Sequence, residues 1–191
     1  MRNYSLVLFG SMILALAACE QPVPRSTAAT DDYYNVTAYI QYEKQRLQRK
    51  QPAVLKSVTT ENEPTETIQA DSLNWDEELT VFEEADISKP TLREYYTREE
   101  QELPDGSTAV TYTKKKDAEA PVEYLHLQLS PEKKVQYLEA TLLDQNLLFY
   151  SKRKAILEAS PQSGRLESYK VEGVQKLIFG DSLHYSIQAN L

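Results

Sequence analysis

The two histidines of this sequence are its first candidates for acid–base or metal chemistry. His126 and His184 each lie on the polar side of a run in which apolar and polar residues alternate. A catalytic zinc ion needs three protein ligands and a water molecule, and no HExxH motif occurs here. We therefore expect surface or hydrogen-bonded histidines, with no bound metal and no cofactor. A zinc site shared across strands with a carboxylate is the weaker alternative.

Clustered glutamates are the other candidate catalytic groups, because sugar hydrolysis uses a pair of opposed carboxyl groups. The clusters are Glu77-Glu78, Glu83-Glu84 and Glu99-Glu100-Glu102. The chain has 29 aspartates and glutamates among 191 residues, so neighbouring carboxylates are expected from composition alone. We interpret them as a solvated face, and a carboxylate-based hydrolase remains as an alternative.

Composition and motifs disfavour nucleotide and nucleic-acid chemistry. The chain has only five glycines and lacks a GxSxG elbow, a phosphate-binding glycine loop and a dinucleotide-binding fingerprint. Its net charge is -8, whereas neutralising phosphates requires a surplus of lysine and arginine. Two basic triplets, at 114–116 and 152–154, are predicted to protect edge strands from aggregation, with anion binding as the alternative. The sequence therefore predicts no nucleic-acid partner.

The N-terminus has the features of an export signal. Arg2 precedes an uncharged apolar run over residues 6–16, and small residues follow it. Crossing a bilayer as a helix takes about 20 apolar residues, whereas the apolar region of a signal peptide takes about 7 to 15. We therefore predict a secretory signal peptide over residues 1–18.

The residues Leu16, Ala17, Ala18 and Cys19 resemble the lipobox of bacterial lipoproteins. The resemblance implies that the first three are recognised for cleavage and that the sulfur of Cys19 receives a diacylglyceryl group. The chain would then be cut before Cys19 and acylated at its new amino end. The alternative is that Cys19 is a small apolar residue that ends an ordinary signal peptide or a signal anchor.

Lipidation would change the chemistry and the cellular location of the mature chain. Cys19 is the only cysteine, so no thiol would remain for disulfides, thiol catalysis or metal binding. Loss of Arg2 leaves 20 basic residues (21 − 1) against 29 acidic ones, a net charge of -9, which should repel anionic headgroups. Glu20 stands where an aspartate would imply inner-membrane retention in lipoprotein sorting. We expect a membrane-attached protein on the outer membrane, facing either the periplasm or the exterior.

Two helices are predicted ahead of a strand-rich region. Residues 19–30 contain two prolines and no apolar periodicity, which predicts a lipidated tether, and residues 31–191 are predicted to form a single domain. Asp31 or Asp32 is predicted to cap a first helix that runs to about Arg49. Trp75, Leu79 and Phe82 form an apolar stripe in a predicted second helix, which begins near residue 71 and ends before Pro90.

The remaining sequence alternates strand-like runs with short turns. Strands are predicted over residues 54–60 and 65–68, near 95–97, and over 108–113, 124–129, 135–143, 147–157, 165–179 and 183–191. Gly173 interrupts one of these runs, which suggests a β-bulge or bend. Short turns favour antiparallel pairing, so we predict an α+β fold in which two N-terminal helices pack on a mainly antiparallel, meander-like β-sheet.

A wider resemblance points in the same direction as the lipobox. The chain resembles uncharacterised lipoproteins of the Bacteroidota, and the resemblance would cover most of the mature chain. Such a family implies an address but no activity, substrate or catalytic residue. The residues that carry the resemblance are Glu78, Leu79, Phe82, Ala85, Asp86, Ile87, Lys89, Pro90, Tyr169, Val171, Gly173, Val174, Gln175, Lys176, Ile178, Gly180, Tyr185 and Ile187.

Two functional hypotheses follow. The first is a non-catalytic envelope lipoprotein that binds a protein or an envelope polymer or serves a structural role. The second is a carrier of lipid or acyl chains, because a curved antiparallel sheet crossed by helices would resemble, in architecture alone, the lipoprotein-localisation factors. A carrier needs a vacant apolar cavity between sheet and helices, whereas a binding module needs a filled core.

Overall fold

A single antiparallel sheet dominates the computed structural model, which describes residues 33–61 and 63–191. Seven of its strands follow one another along the chain after the last helix, and two precede them as a separate hairpin. The strands within the described residues are β1 (Val54–Thr60), β2 (Glu63–Ala70), β3 (Tyr96–Glu102), β4 (Thr108–Lys114), β5 (Val122–Leu129), β6 (Val135–Gln145), β7 (Phe149–Ala159), β8 (Leu166–Leu177) and β9 (Ser182–Asn190).

The order of strands across the sheet is β2-β1-β9-β8-β7-β6-β5-β4-β3. Strands β3 to β9 form a meander, and β9 then pairs antiparallel with β1, with Ala189 opposite Lys56. Because neighbouring strands run in opposite directions, the β1–β2, β4–β5, β6–β7 and β8–β9 connections all lie at one end of the sheet. We call this the tip end.

Four short helical segments accompany the sheet in the described residues: α1 (Val36–Lys50), α2 (Trp75–Glu78), α3 (Thr80–Glu84) and α4 (Pro90–Arg93). The N-cap of α1 is Asn35, whose side-chain oxygen accepts a hydrogen bond from the Ala38 amide at 2.7 Å. Its C-cap is Gln51, which has a left-handed backbone with φ of 42°. Asp31 and Asp32, the predicted caps, lie outside the described residues.

The predicted fold class is wrong. The protein is mostly one nine-stranded antiparallel sheet with few short helices, and there is no layer of two N-terminal helices within the described part of the chain. The hairpin β1–β2 follows α1 and joins the same sheet. The predicted second helix breaks at Leu79, whose φ of -103° and ψ of 4° leave helical geometry, so α2 and α3 are single turns. Antiparallel pairing and the meander are confirmed.

One side of the sheet is buried under α1, α2 and α3, and the other side is open. Along β5 and β6 the side chains facing the helices are fully buried, among them Leu125, Leu127 and Leu138. Their neighbours on the open side are half-buried and mostly polar. This alternation is typical of an antiparallel sheet that packs on its core through one face. Tyr112 and Tyr169 extend the core by contacting the rings of Tyr33 and Phe82.

Gly173 permits close packing rather than a bulge. The register between β8 and β9 is regular at this residue, so the predicted β-bulge is wrong. Gly173 pairs with Tyr185, and a Cβ atom at position 173 would lie 2.4 Å from Cζ of that tyrosine. Glycine therefore lets the aromatic ring of the neighbouring strand lie across position 173, and a larger residue would have to displace the end of the Tyr185 side chain.

The edges of the sheet carry charge, but not in the predicted way. The edge strands are β2 and β3, whereas the basic triplets lie at the end of β4 and within β7, both interior strands. Glu63 and Glu66 on β2 and Glu99 and Glu102 on β3 are all exposed. Charged side chains on exposed edges oppose pairing with another chain. Glutamates thus have the role that was predicted for lysines.

Candidate functional site

The turn between β6 and β7 places two leucines at the tip end of the sheet. Its geometry comes from Asn146, whose side-chain oxygen accepts hydrogen bonds from the amides of Leu148 at 2.9 Å and Phe149 at 3.0 Å. The Asn146 amide in turn donates to the Phe149 carbonyl at 2.8 Å. Asn146 therefore closes the turn, and Leu147 and Leu148 take its outermost positions.

The neighbouring turn, between β8 and β9, adds three more apolar residues. The Gly180 amide donates to the Leu177 carbonyl at 3.1 Å and closes this turn around Ile178 and Phe179. The two turns are linked directly, because the Ile178 amide donates to the Leu148 carbonyl at 3.0 Å. Two adjacent hairpin tips are thereby fixed to each other.

We call Leu147, Leu148, Leu177, Ile178 and Phe179 the apolar tip patch. Leu147 is 92% exposed and Phe179 is 95% exposed, and the other three are each more than half exposed. The two turns border a shallow depression of about 660 Å³. Single exposed apolar residues are ordinary, but a contiguous group of large ones indicates an interaction surface.

The two turn segments that carry the apolar tip patch have a net charge of only -1 (1 − 2). Residues 144–150 and 176–181 contain Lys176 as their only basic residue, with Asp144 and Asp181 as their only acidic ones. The surface is therefore apolar at its apices and weakly charged at its rim.

The residues predicted to carry the lipid anchor lie outside the described part of the chain. Cys19, with Leu16, Ala17 and Ala18, belongs to residues 1–32, as do the predicted signal peptide and tether. Their roles stay predictions. The body described here begins at Tyr33, whose ring stacks on Tyr112 with centroids 4.9 Å apart.

The two histidines are far apart on the sheet. His126 lies on β5 and His184 on β9, four strands away, which corresponds to roughly 19 Å at the usual strand spacing. Nδ1 of His126 lies 2.9 Å from the Thr111 hydroxyl, and burial lowers its pKa against the opposing effect of the Glu139 carboxylate. No group of three metal-ligating side chains occurs in residues 33–61 and 63–191. The two rings are not brought together as ligands.

The glutamate clusters are separated from one another, and four of their seven glutamates form ion pairs, including Glu100 with Arg98. Glu99 and Glu102 are exposed on the edge strand β3, whereas the other clusters lie on α2 and α3. Ion pairs join Glu78 to Lys56 at 2.5 Å, Glu83 to Lys44 at 2.8 Å, and Glu84 to Arg153 at 2.7 Å. These carboxylates connect the helices to each other and to the sheet.

A small cleft of about 240 Å³ lies between the α2–α3 segment and the sheet. Lys56, Glu78 and Tyr169 meet there, since the Tyr169 hydroxyl donates to the carboxylate that pairs with Lys56. Burial and the adjacent Glu78 carboxylate raise the pKa of Tyr169. The phenol therefore stays protonated as a donor, and the cation and anion satisfy each other. The cleft holds a structural network.

A second buried polar group ties α1 to the sheet. The Glu43 side chain is fully buried, and its Oε2 accepts hydrogen bonds from Arg46 Nη2 at 2.6 Å and from the Leu166 amide at 3.0 Å. Its Oε1 and the Tyr39 hydroxyl have no hydrogen-bond partner among the described residues. Burial, with the charge of Glu43, raises the pKa of Tyr39. Glu43 holds the start of β8 against the helix.

Sequence reasoning missed the apolar tip patch. It predicted a turn at residues 144–146 and a strand from Leu147, and it placed Ile178 and Phe179 inside a strand. In the structure Leu147 and Leu148 follow β6, and Ile178 and Phe179 follow β8. The available signal was the coincidence of the turn-forming residues Asn146 and Gly180 with bulky apolar neighbours, because turns are usually polar.

Comparisons with known proteins add no relationship. The chain matches no protein-family model, no curated protein and no solved structure. Within the described residues, no helix has the combination of length and hydropathy that spanning a membrane would require.

Proposed function

We propose that this chain is a lipid-anchored protein of the bacterial envelope whose body is a non-catalytic binding module. In this proposal the lipobox-like residues direct diacylglyceryl transfer to Cys19, and the sheet is presented from the outer membrane. The observation that supports a binding role is the apolar tip patch, which keeps large side chains in water at one end of the molecule.

The distribution of charged groups favours binding over catalysis. Three carboxylates of α2 and α3 are paired with cations, namely Lys56 and Arg153 of the sheet and Lys44 of α1. Acid–base catalysis requires groups that can exchange protons with a substrate at a reachable position. Groups committed to ion pairs that join the helices to one another and to the sheet are better explained as structural contacts.

The packing of the core favours a binding module over an acyl-chain carrier. Side chains between helices and sheet, such as Ile40, Phe82 and Leu127, are fully buried and belong to one continuous apolar cluster. The cleft that opens toward this region is small and is lined by Lys56 and Glu78. Acyl chains bind in vacant apolar cavities, and a filled core leaves little volume for them.

A lipid anchor on Cys19 would hold the body at its membrane without a spanning helix. Each buried methylene contributes about 0.8 kcal/mol, and two or more acyl chains bind stably where one binds reversibly. Cys19 and Tyr33 are 14 residues apart (33 − 19), so the segment between them reaches about 46 to 50 Å when extended. The body would stay within that distance of the bilayer.

Fractionation of cells that express the full chain tests the anchor. We expect the wild-type protein in the membrane fraction, with a mass that shows cleavage before Cys19 and attached acyl chains. Because Cys19 is the only cysteine, a thiol-reactive reagent should fail to label the mature protein. The matched control is Cys19→Ser, which should carry no lipid. This variant should either keep its full length or be released from the membrane. Wild-type protein that keeps a free thiol and its full length would contradict the proposal.

A further inference from the structure

We propose that the apolar tip patch inserts into the interfacial layer of the bilayer that carries the lipid anchor, so that the body docks on its own membrane through two hairpin tips. The occupant of the patch is thus a phospholipid surface. The proposal deepens the proposed function, because it rests on the attachment of Cys19 to that membrane.

The shape of the patch suits a deformable apolar phase. Leu147 and Phe179 stand at the apices of two turns and are more than nine-tenths exposed, so they project from the body. A rigid protein partner gains affinity mainly from shape complementarity around buried anchor residues. Protruding apices beside a shallow depression instead match a layer whose molecules rearrange around them. Aliphatic and aromatic side chains are also the types that enter the boundary between headgroups and acyl chains.

The point at which the tether joins the body lies toward the same end of the sheet. The Tyr33 hydroxyl donates to the carbonyl of Arg93 at 3.0 Å, and Arg93 ends the short helix that leads into β3. The first residue of β3, Tyr96, pairs with Lys114 at the end of β4, which places this junction at the tip end. A chain attached there can let the hairpin tips face the membrane without wrapping around the body.

The local charge selects the kind of membrane surface. The mature chain would carry a net charge of -9 (20 − 29), which opposes approach to anionic lipids. Lys176 and the two aspartates leave the tip segments with a net charge of only -1 (1 − 2), so the tips can approach zwitterionic headgroups with little repulsion. Insertion should therefore be driven by burial of apolar surface and should depend little on salt.

The tether makes even weak insertion effective. A body confined within about 50 Å of the bilayer meets it at a high local concentration, so the tips do not need the affinity of a free peripheral protein. Two linked hairpins also insert together, because the Ile178 amide is bonded to the Leu148 carbonyl.

Depth-dependent fluorescence quenching tests the proposal on the full lipidated chain. The variant Phe179→Trp places a reporter at the apex, while Trp75, the only natural tryptophan, is 1% exposed and supplies a constant background. The protein is reconstituted in phosphatidylcholine–phosphatidylethanolamine vesicles, with or without bromine on the acyl chains. We expect brominated lipid to reduce the reporter emission at least twofold and aqueous iodide to have little effect.

The matched control is Ile68→Trp. Ile68 lies on β2 and is 55% exposed. It pairs with Lys56, and Lys56 pairs with Ala189, so the three residues lie at the same level of the sheet. This level is about 23 Å along β9 from the tips. Its reporter should respond to iodide and not to brominated lipid. Adding Leu147→Ser and Leu148→Ser to the Phe179→Trp chain should weaken the lipid quenching at least twofold. These side chains are exposed, so the variants retain the core.

The outcomes separate the two proposals. The intact mass of the protein shows, independently of the quenching, whether Cys19 is lipidated. A chain without acyl groups overturns the proposed function. A lipidated chain whose position 179 is quenched by iodide and not by brominated lipid overturns the tip proposal alone. The tip proposal would also be overturned if the tryptophan at position 179 were shielded from both quenchers, and only when the vesicles carry many protein molecules. That result would show that the patch binds a second copy of the chain.

Discussion

Removing the buried Glu43 carboxylate should destabilise the fold more than removing a carboxylate from a half-exposed ion pair. In Glu43→Ala the buried Leu166 amide loses its acceptor, which costs about 1–3 kcal/mol, and Arg46 loses two charge-assisted hydrogen bonds at 2.6 and 3.0 Å. Truncating one partner of a fully buried pair costs about 3–5 kcal/mol. Arg46 is 13% exposed and regains some water, so we expect a loss of about 3 kcal/mol.

Urea unfolding followed by circular dichroism measures this loss. With a slope of about 2 kcal/mol per molar urea, the midpoint of Glu43→Ala should fall by about 1.5 M. Glu43→Gln keeps an acceptor for the Leu166 amide and should lose only about 1 kcal/mol.

The matched control is Glu84→Ala, which removes a half-exposed ion pair to Arg153 and should cost less than about 1 kcal/mol. Equal effects of Glu43→Ala and Glu84→Ala would refute the reasoning that burial makes the Glu43 contact important.

Three further changes test other contacts. Gly173→Ala should cost about 1–3 kcal/mol because its Cβ would overlap Tyr185, and thermal unfolding should show partial recovery when Tyr185→Ala is added. Burial lowers the pKa of His126 below 6.5, so the contribution of this side chain to stability is complete above pH 6.5 and is lost as the pH falls below that value. The unfolding free energy of the wild-type protein, measured relative to that of His126→Gln, should therefore decline as the pH is lowered from 6.5. Tyr169→Phe removes one hydrogen bond to Glu78 and should cost about 1 kcal/mol in urea unfolding.

The strands were largely predictable because their burial follows a period of two. Leu125, Leu127 and Leu129 alternate with polar residues, and β5 buries those three leucines as expected. The second helix was not predictable in the same way. Trp75, Leu79 and Phe82 have helical spacing, but the spacing does not show that Leu79 leaves helical geometry between two single turns.

The pairing of β9 with β1 was also beyond the sequence pattern. Alternation shows that a segment is a strand, but it does not identify a partner more than a hundred residues away. Short turns predict pairing between consecutive strands, which is why the meander was expected. A contact between distant strands depends on which edge of the sheet remains open once the meander has formed.

The candidate site was predictable only in part. Lipobox-like residues are a local pattern that sequence reading can find, and their role stays a prediction. The apolar tip patch depends on where two turns fall, and a shift of two residues moves Leu147, Leu148, Ile178 and Phe179 from strands into turns. Turn positions are set by short-range hydrogen bonds such as those that the Asn146 side chain accepts. Many polar residues could form similar hydrogen bonds, so the sequence does not show which of them closes a turn.

Because β9 lies between β8 and β1, the sheet cannot be completed until β9 is available. Lys56 faces Ala189, so β1 waits for a neighbour that is made 133 positions later (189 − 56). Until residues 182–191 have emerged, β1 and β8 each present a row of free amides and carbonyls that could capture another chain. A shortened product without those residues would lose the pairing between the β1–β2 hairpin and the meander, and β8 would become an edge strand. Chaperones in the compartment where the chain folds would therefore be needed longest for the pairing of β9 with β1 and β8.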